Sequence, residues 1–168
     1  MRQILRFAPV AVLCLALAAC FASKAPLIPP GNAAFPVERL TFKGDTGDMQ
    51  TLEHVGDAYR VGPPDKDGRY ALLRLAPAGD DIYVAEMWAE GKQDEGGVLH
   101  ALLVVDRAAG EIASYAALRP EGFEPVPGLS SCDSNACIED LDAYVAYAKA
   151  RIAAGVAPDV VYHIVAME

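Results

Sequence analysis

Cys132 and Cys137 close the segment Cys-Asp-Ser-Asn-Ala-Cys, so four residues separate two thiols. Bonded to each other, they would form a small loop at the entry to a helix and fix its first turn. Closing so short a loop removes little freedom from the unfolded chain, on the order of 2 kcal/mol. The competing chemistry is a redox or metal pair. Thioredoxin-like exchange needs Cys-x-x-Cys at a helix start, where the helix dipole lowers a thiol pKa, and the spacing here is longer.

Glu86, His100 and His163 are the other candidates, each set in an apolar run. Desolvation raises the pKa of a carboxylate in such a run, which is one way acid–base groups are tuned. The three would be the polar members of a pocket between helix and sheet, provided they converge to hydrogen-bond reach. A plainer reading pairs Glu86 with Arg74 on a neighbouring strand and makes the histidines core or sheet-surface residues. Neither these histidines nor His54 stand at a ligand spacing from another His or Cys, so no metal site is expected. Pro64-Asp-Lys-Asp-Gly68 hints at a calcium loop. Setting Asp67 and Gly68 at the fifth and sixth loop positions, however, puts Pro63 first and Arg74 twelfth, where carboxylates are required. Gly-x-Ser-x-Gly, Gly-x-x-x-x-Gly-Lys, dinucleotide-binding and His-Glu-x-x-His motifs are all absent. No cofactor is expected, and the reading leans away from an enzyme.

Short strands would position these residues. In Arg39–Lys43, Leu40 and Phe42 alternate with polar neighbours, as in a half-buried edge strand. A second strand is expected at Asp57–Val61, and two more, Arg69–Leu75 and Asp81–Ala89, flank a turn at Pro77–Asp80. The Asp81–Ala89 strand carries Ile82, Val84, Glu86 and Trp88 on one face and Tyr83, Ala85 and Met87 on the other, so it belongs at the centre, covered on both sides. Val98–Val105 and Glu111–Leu118 continue the meander. No helix-length segment separates these strands, which excludes parallel crossovers. Beyond a Pro/Gly-rich stretch at Arg119–Ser131, Ile138, Leu141, Val145, Ala148 and Ile152 recur at helical steps. Acidic Glu139, Asp140 and Asp142 stand at the helix start, Lys149 and Arg151 near its end, and Gly155 and Pro158 stop it. Val160–Val165 reads as a last strand. The expected class is α+β: an antiparallel meander with one main C-terminal amphipathic helix packed on it and a final strand.

The N-terminus carries an address. Arg2 and Arg6 precede an apolar run, Phe7–Ala16, too short to span a bilayer as a helix of roughly 20 residues, and Leu17-Ala18-Ala19-Cys20 follows. This tetrapeptide resembles the lipobox of bacterial lipoproteins at every position. The resemblance implies cleavage before Cys20, acylation of its thiol and new amine, and membrane attachment through that lipid. Phe21 rather than Asp after the cysteine implies the outer membrane, facing the periplasm. Cys14 would leave with the signal, so Cys132 and Cys137 remain as a pair in an oxidising compartment, which favours the disulfide.

Removing residues 1–19 leaves 149 residues, with 12 basic against 23 acidic side chains, a net charge of −11. Such a body is a poor ligand for nucleic acid or anionic lipid, so the lipid rather than a basic patch would anchor it. Four prolines in Phe21–Pro36 suggest a tether. The expected organisation is a signal peptide (1–19), a lipidated Cys20 with Pro-rich tether (20–36) and a single α+β domain (37–168). The expected function is that of an envelope lipoprotein with a non-catalytic binding or accessory domain, its partner an envelope protein or cell-wall component. The alternative is a small-molecule-binding protein or enzyme using the pocket between helix and sheet.

Overall fold

Period-2 alternation of apolar and other side chains recurs along the chain, and the described residues form eleven strands and one α-helix. The computed structural model describes residues 21–34, 36–93, 97–116, 123–132 and 135–168. The expected signal segment and Cys20 lie outside the described residues. The strands are β1 (Phe21–Ser23), β2 (Arg39–Lys43), β3 (Met49–Val55), β4 (Ala58–Val61), β5 (Ala71–Gly79), β6 (Ile82–Ala89), β7 (Val98–Asp106), β8 (Glu111–Tyr115), β9 (Leu129–Cys132), β10 (Asn135–Ile138) and β11 (Val160–Met167). One helix, α1 (Leu141–Ala153), precedes β11.

From β2 to β8 each strand pairs antiparallel with the next. β11 then pairs antiparallel with both β8 and β2. Eight strands thereby close into a barrel, and the expected α+β class is corrected to a mostly β fold with one helix. Closure depends on a pairing between the two ends of the domain, and hydrophobic periodicity within a strand carries no information about it. It also corrects the edge position expected for Arg39–Lys43, because β2 has β11 on one side and β3 on the other.

Two irregularities serve the curvature. Register shifts occur between Pro77 and Gly79 in β5 and between Ile164 and Ala166 in β11. β4 pairs with β5 only over Ala71–Leu73, so Pro77 stands where no ladder N–H is needed on that side. The expected turn at Pro77–Asp80 narrows to Asp80–Asp81, with Asp81 in the left-handed region at φ 53°.

The wall made by β6 and β7 has two apolar faces, as the pattern of Asp81–Ala89 required. Tyr83, Ala85 and Met87 face the barrel lumen. Val84, Leu102 and Tyr115 are cross-strand neighbours on the outer face, in a second core with Phe21, Ile28, Phe123, Leu129, Ile138 and Tyr144. α1, β1 and the β9–β10 hairpin cover that face. β1 joins β7 on one side and β10 on the other. The tether reading of 20–36 is therefore corrected over its described part: Phe21 is fully buried, Ala22 and Ser23 nearly so, and Ile28 is 1% exposed. Three apolar residues at the right positions outweigh the proline content, since burying each Phe or Ile contributes roughly 1.5–3 kcal/mol.

The expected disulfide is present, Cys132–Cys137, with Cα atoms 5.7 Å apart. It bridges the β9–β10 hairpin instead of a loop entering the helix, because Ile138 belongs to β10 and the helix starts at Leu141. Asp140 is the N-cap, accepting from the N–H groups of Asp142 (2.8 Å) and Ala143 (3.1 Å). Gly128 lies beneath this cap with φ 84°, and a Cβ there would come within 2.7 Å of Ala143 Cβ and 2.8 Å of Asp140 Cβ. Gly128→Ala should therefore cost about 2–4 kcal/mol, combining overlap with a left-handed φ. Gly110→Ala, with φ 68° and no atom within 4 Å, should cost only about 1 kcal/mol. Urea denaturation of both variants checks the difference, and equal losses would show that the close approach is not real.

Candidate functional site

Two concave features stand out among the described residues: the barrel lumen, with a cavity of about 270 Å³, and a depression of about 580 Å³ where α1 meets β5 and β6. The lumen is the more apolar and the less open of the two. Cross-strand partners line it in layers: Tyr59, Leu73, Met87 and Leu99 in one, Leu75, Ala85 and Ala101 in the next, then Tyr83, Leu103, Ser114 and Val160. Two alanines in the middle layer leave the room, since bulky residues stand above and below them. The few polar groups are largely engaged with protein. The Tyr59 hydroxyl donates to Val37 O at 2.6 Å. Arg107, in the β7–β8 turn, donates from Nε to Asp81 Oδ1 at 2.8 Å. Asp159, just before β11, accepts from Ala116 N at 2.6 Å. Burial raises the Tyr59 and Tyr162 hydroxyl pKa values, as a dry, apolar wall should.

On the opposite face of the same wall lies a buried polar network. Glu86 is fully buried, and Oε2 accepts from Leu27 N (2.7 Å) and Ile28 N (3.0 Å). Arg74 Nη1 donates to Glu86 Oε1 (3.2 Å) and to Ile28 O (2.8 Å), while Nη2 reaches Asp57 Oδ2 (2.5 Å). The guanidinium also stands 5.0 Å from the centre of the Trp88 ring. Burial pushes the Glu86 pKa up, against the two backbone donors and Arg74, which pull it down. The network clamps residues 27–28 onto the barrel wall, and Arg74 is the partner that the sequence reading had named.

His100, the cross-strand neighbour of Glu86, is 1% exposed and turned to this outer face. Its Nε2 lies 2.8 Å from Ser23 Oγ, and that hydroxyl donates to Ala25 O at 2.6 Å, so the imidazole must be the donor to serine. Nδ1 is buried with no partner among the described residues. A serine nucleophile needs the reverse arrangement, with its proton directed to the imidazole and Nδ1–H held by a carboxylate. Glu86 instead spends its oxygens on Leu27, Ile28 and Arg74. The pair is a staple for β1.

His163 is elsewhere, on β11, exposed and 3.3 Å from Glu111. The expected pocket of Glu86, His100 and His163 between helix and sheet is thus corrected. Two members are packed in the outer core, the third faces solvent, and the cavity lies on the far side of the wall from the helix. An open depression does occur where α1 meets β5 and β6, but its lining (Ile28, Ala76, Val84, Leu141 and Val145 among others) contains none of the three. The lumen exists only through closure of the barrel, and its local sequence signal is the pair of small residues Ala85 and Ala101 between bulky neighbours. Among the described residues no group of three or more His, Cys, Asp or Glu could hold a metal, and no helix is long and apolar enough to cross a membrane.

Burial holds the His100 pKa down at about 4 against an ordinary 6.5. The unfolded chain thus takes up this proton near pH 6.5 and the folded protein only near pH 4. The contribution of His100 to stability should be fully present above pH 6.5 and be lost as pH falls through that window, on the order of 3 kcal/mol at pH 4. Glu86 works the other way: its raised folded pKa relieves the cost of its buried charge on acidification. The difference between wild type and His100→Gln isolates the histidine, and should show the variant losing the acid-side slope in denaturation series from pH 7.5 to 4. Glu86→Ala strands Arg74 and two N–H groups, and should cost about 3–5 kcal/mol. Tryptic cleavage after exposed Lys24 should then precede global unfolding; cleavage at the wild-type rate would show that the clamp is not formed. Comparisons with known protein families, with curated proteins and with solved structures find no match to this chain.

Proposed function

We propose that this chain is a lipid-anchored envelope protein, attached through Cys20, whose barrel lumen binds one small apolar molecule without transforming it. The cavity carries the reading. Small-molecule sites are concave, mostly apolar and equipped with a few placed polar groups, and a space of about 270 Å³ is close to the lower end of their usual range of roughly 300–1,000 Å³. The ligand class is accordingly a single acyl chain or a compact apolar ring system. Binding without chemistry is the reading its surroundings support: tyrosines, Arg107, Asp159 and His100 are the titratable residues along the lumen, and the His100 imidazole is engaged with Ser23 in the outer core, as Glu86 is with Leu27, Ile28 and Arg74. The lipobox and the disulfide chemistry support the envelope setting.

A solvatochromic apolar probe, N-phenyl-1-naphthylamine, tests the lumen. Its fluorescence should rise on saturable binding to the wild type. Ala101→Phe fills the middle layer and should weaken that binding at least about tenfold with the strand circular dichroism retained. No binding by the wild type, or unchanged binding by the folded variant, would remove the lumen as a site.

A further inference from the structure

We infer that the lipid on Cys20 has no spacer, so the outer wall that carries β1 is held directly against the bilayer. This rests on the anchor reading above. Cys20 is one peptide bond from Phe21, a Cα step of about 3.8 Å. Phe21 is already inside the fold: fully buried, its ring centre 5.1 Å from Tyr144, 5.5 Å from Tyr147 and 5.8 Å from Phe123. β1 is flanked by strands on both sides, β7 and β10. The chain stays bound beyond it, through Ser23 with His100 and through Leu27 and Ile28 with Glu86. A free tether over the 16 residues 21–36 would have a root-mean-square reach of roughly 20 Å. Packed as it is, the segment contributes none of that reach.

The apposed face follows from strand direction. β1 runs parallel to β10 with Phe21 level with Ala136, so the start of β1 lies at the tip end of the hairpin bridged by Cys132–Cys137. The lipid surface thus meets the end of the outer layer marked by Phe21, Cys132 and Asn135. The net charge of the body is negative, so covalent attachment and not charge attraction holds it there.

The test uses the acylated protein extracted from membranes and placed on a supported phosphatidylethanolamine/phosphatidylglycerol bilayer, with mass spectrometry establishing the acyl mass on Cys20. Neutron reflectometry should show protein density contiguous with the headgroups. Inserting a Gly/Ser linker of about twelve residues between Cys20 and Phe21 should move that density outward by roughly 20 Å. In hydrogen exchange, the amides of β1 should be protected at least about a hundredfold over an unfolded chain. A water layer of roughly 20 Å beneath the unmodified protein, unprotected β1 amides, or a linker without effect would each overturn the inference while leaving the anchor intact. An unacylated Cys20 would overturn the anchor reading and this inference with it.

Discussion

β11 is hydrogen-bonded to β8 over Val160–His163 and to β2 over His163–Met167. Everything else in the structure depends on that double pairing. With β11 in place, Leu40, Phe42, Ile112 and Tyr162 enclose a common interior. Without it, β2 to β8 would be a curled sheet with two open edges and a solvent-exposed apolar face, a template for aggregation. The helix matters through the same connection, since α1 spans the outer wall and delivers the chain to the start of β11.

One wall separates two kinds of interior. Inside, the layers are apolar and leave space beside Ala85 and Ala101. Outside, the covering is dense with aromatic contacts and fastened by charge. Burying Glu86 and Arg74 together is expensive, and such pairs are commonly no more stabilising than apolar replacements. Here the pair has a positional use, because Glu86 accepts from two backbone N–H groups of a segment that has little regular structure of its own. The clamp fixes the N-terminal segment in one place, and β1 is thereby retained as a strand of the outer layer.

Much of this was legible residue by residue. The strands around Leu40, Leu73, Val84, Leu102 and Ile112 follow from alternation, the two-faced character of β6 from its lack of a polar side, and the Arg74–Glu86 pair from adjacent strands. The helix was readable from its spacing and its acidic start. The strand Met49–Val55 and the β9–β10 hairpin stand outside the expected elements, and Ile138, counted in the helical pattern, belongs to β10. The rest that the sequence withheld was non-local. β11 at Val160–Val165 could be recognised as a strand, but neither of its neighbours could. Phe21, Pro26 and Ile28 have no period, and the burial of Phe21 and Ile28 depends on a surface that exists only after β6 and β7 pair. His100 reads as a core histidine and is one; its engagement with Ser23 across 77 positions has no local signature.

The most direct measurement of the lumen's character is a crystal structure determined under xenon pressure, because an apolar cavity stays dry and takes up xenon. A ligand-binding lumen predicts xenon density beside Ala85 and Ala101, within the barrel. Ordered water hydrogen-bonded across that space, or side chains collapsed to fill it, would contradict the proposal that the barrel is built to hold an apolar molecule.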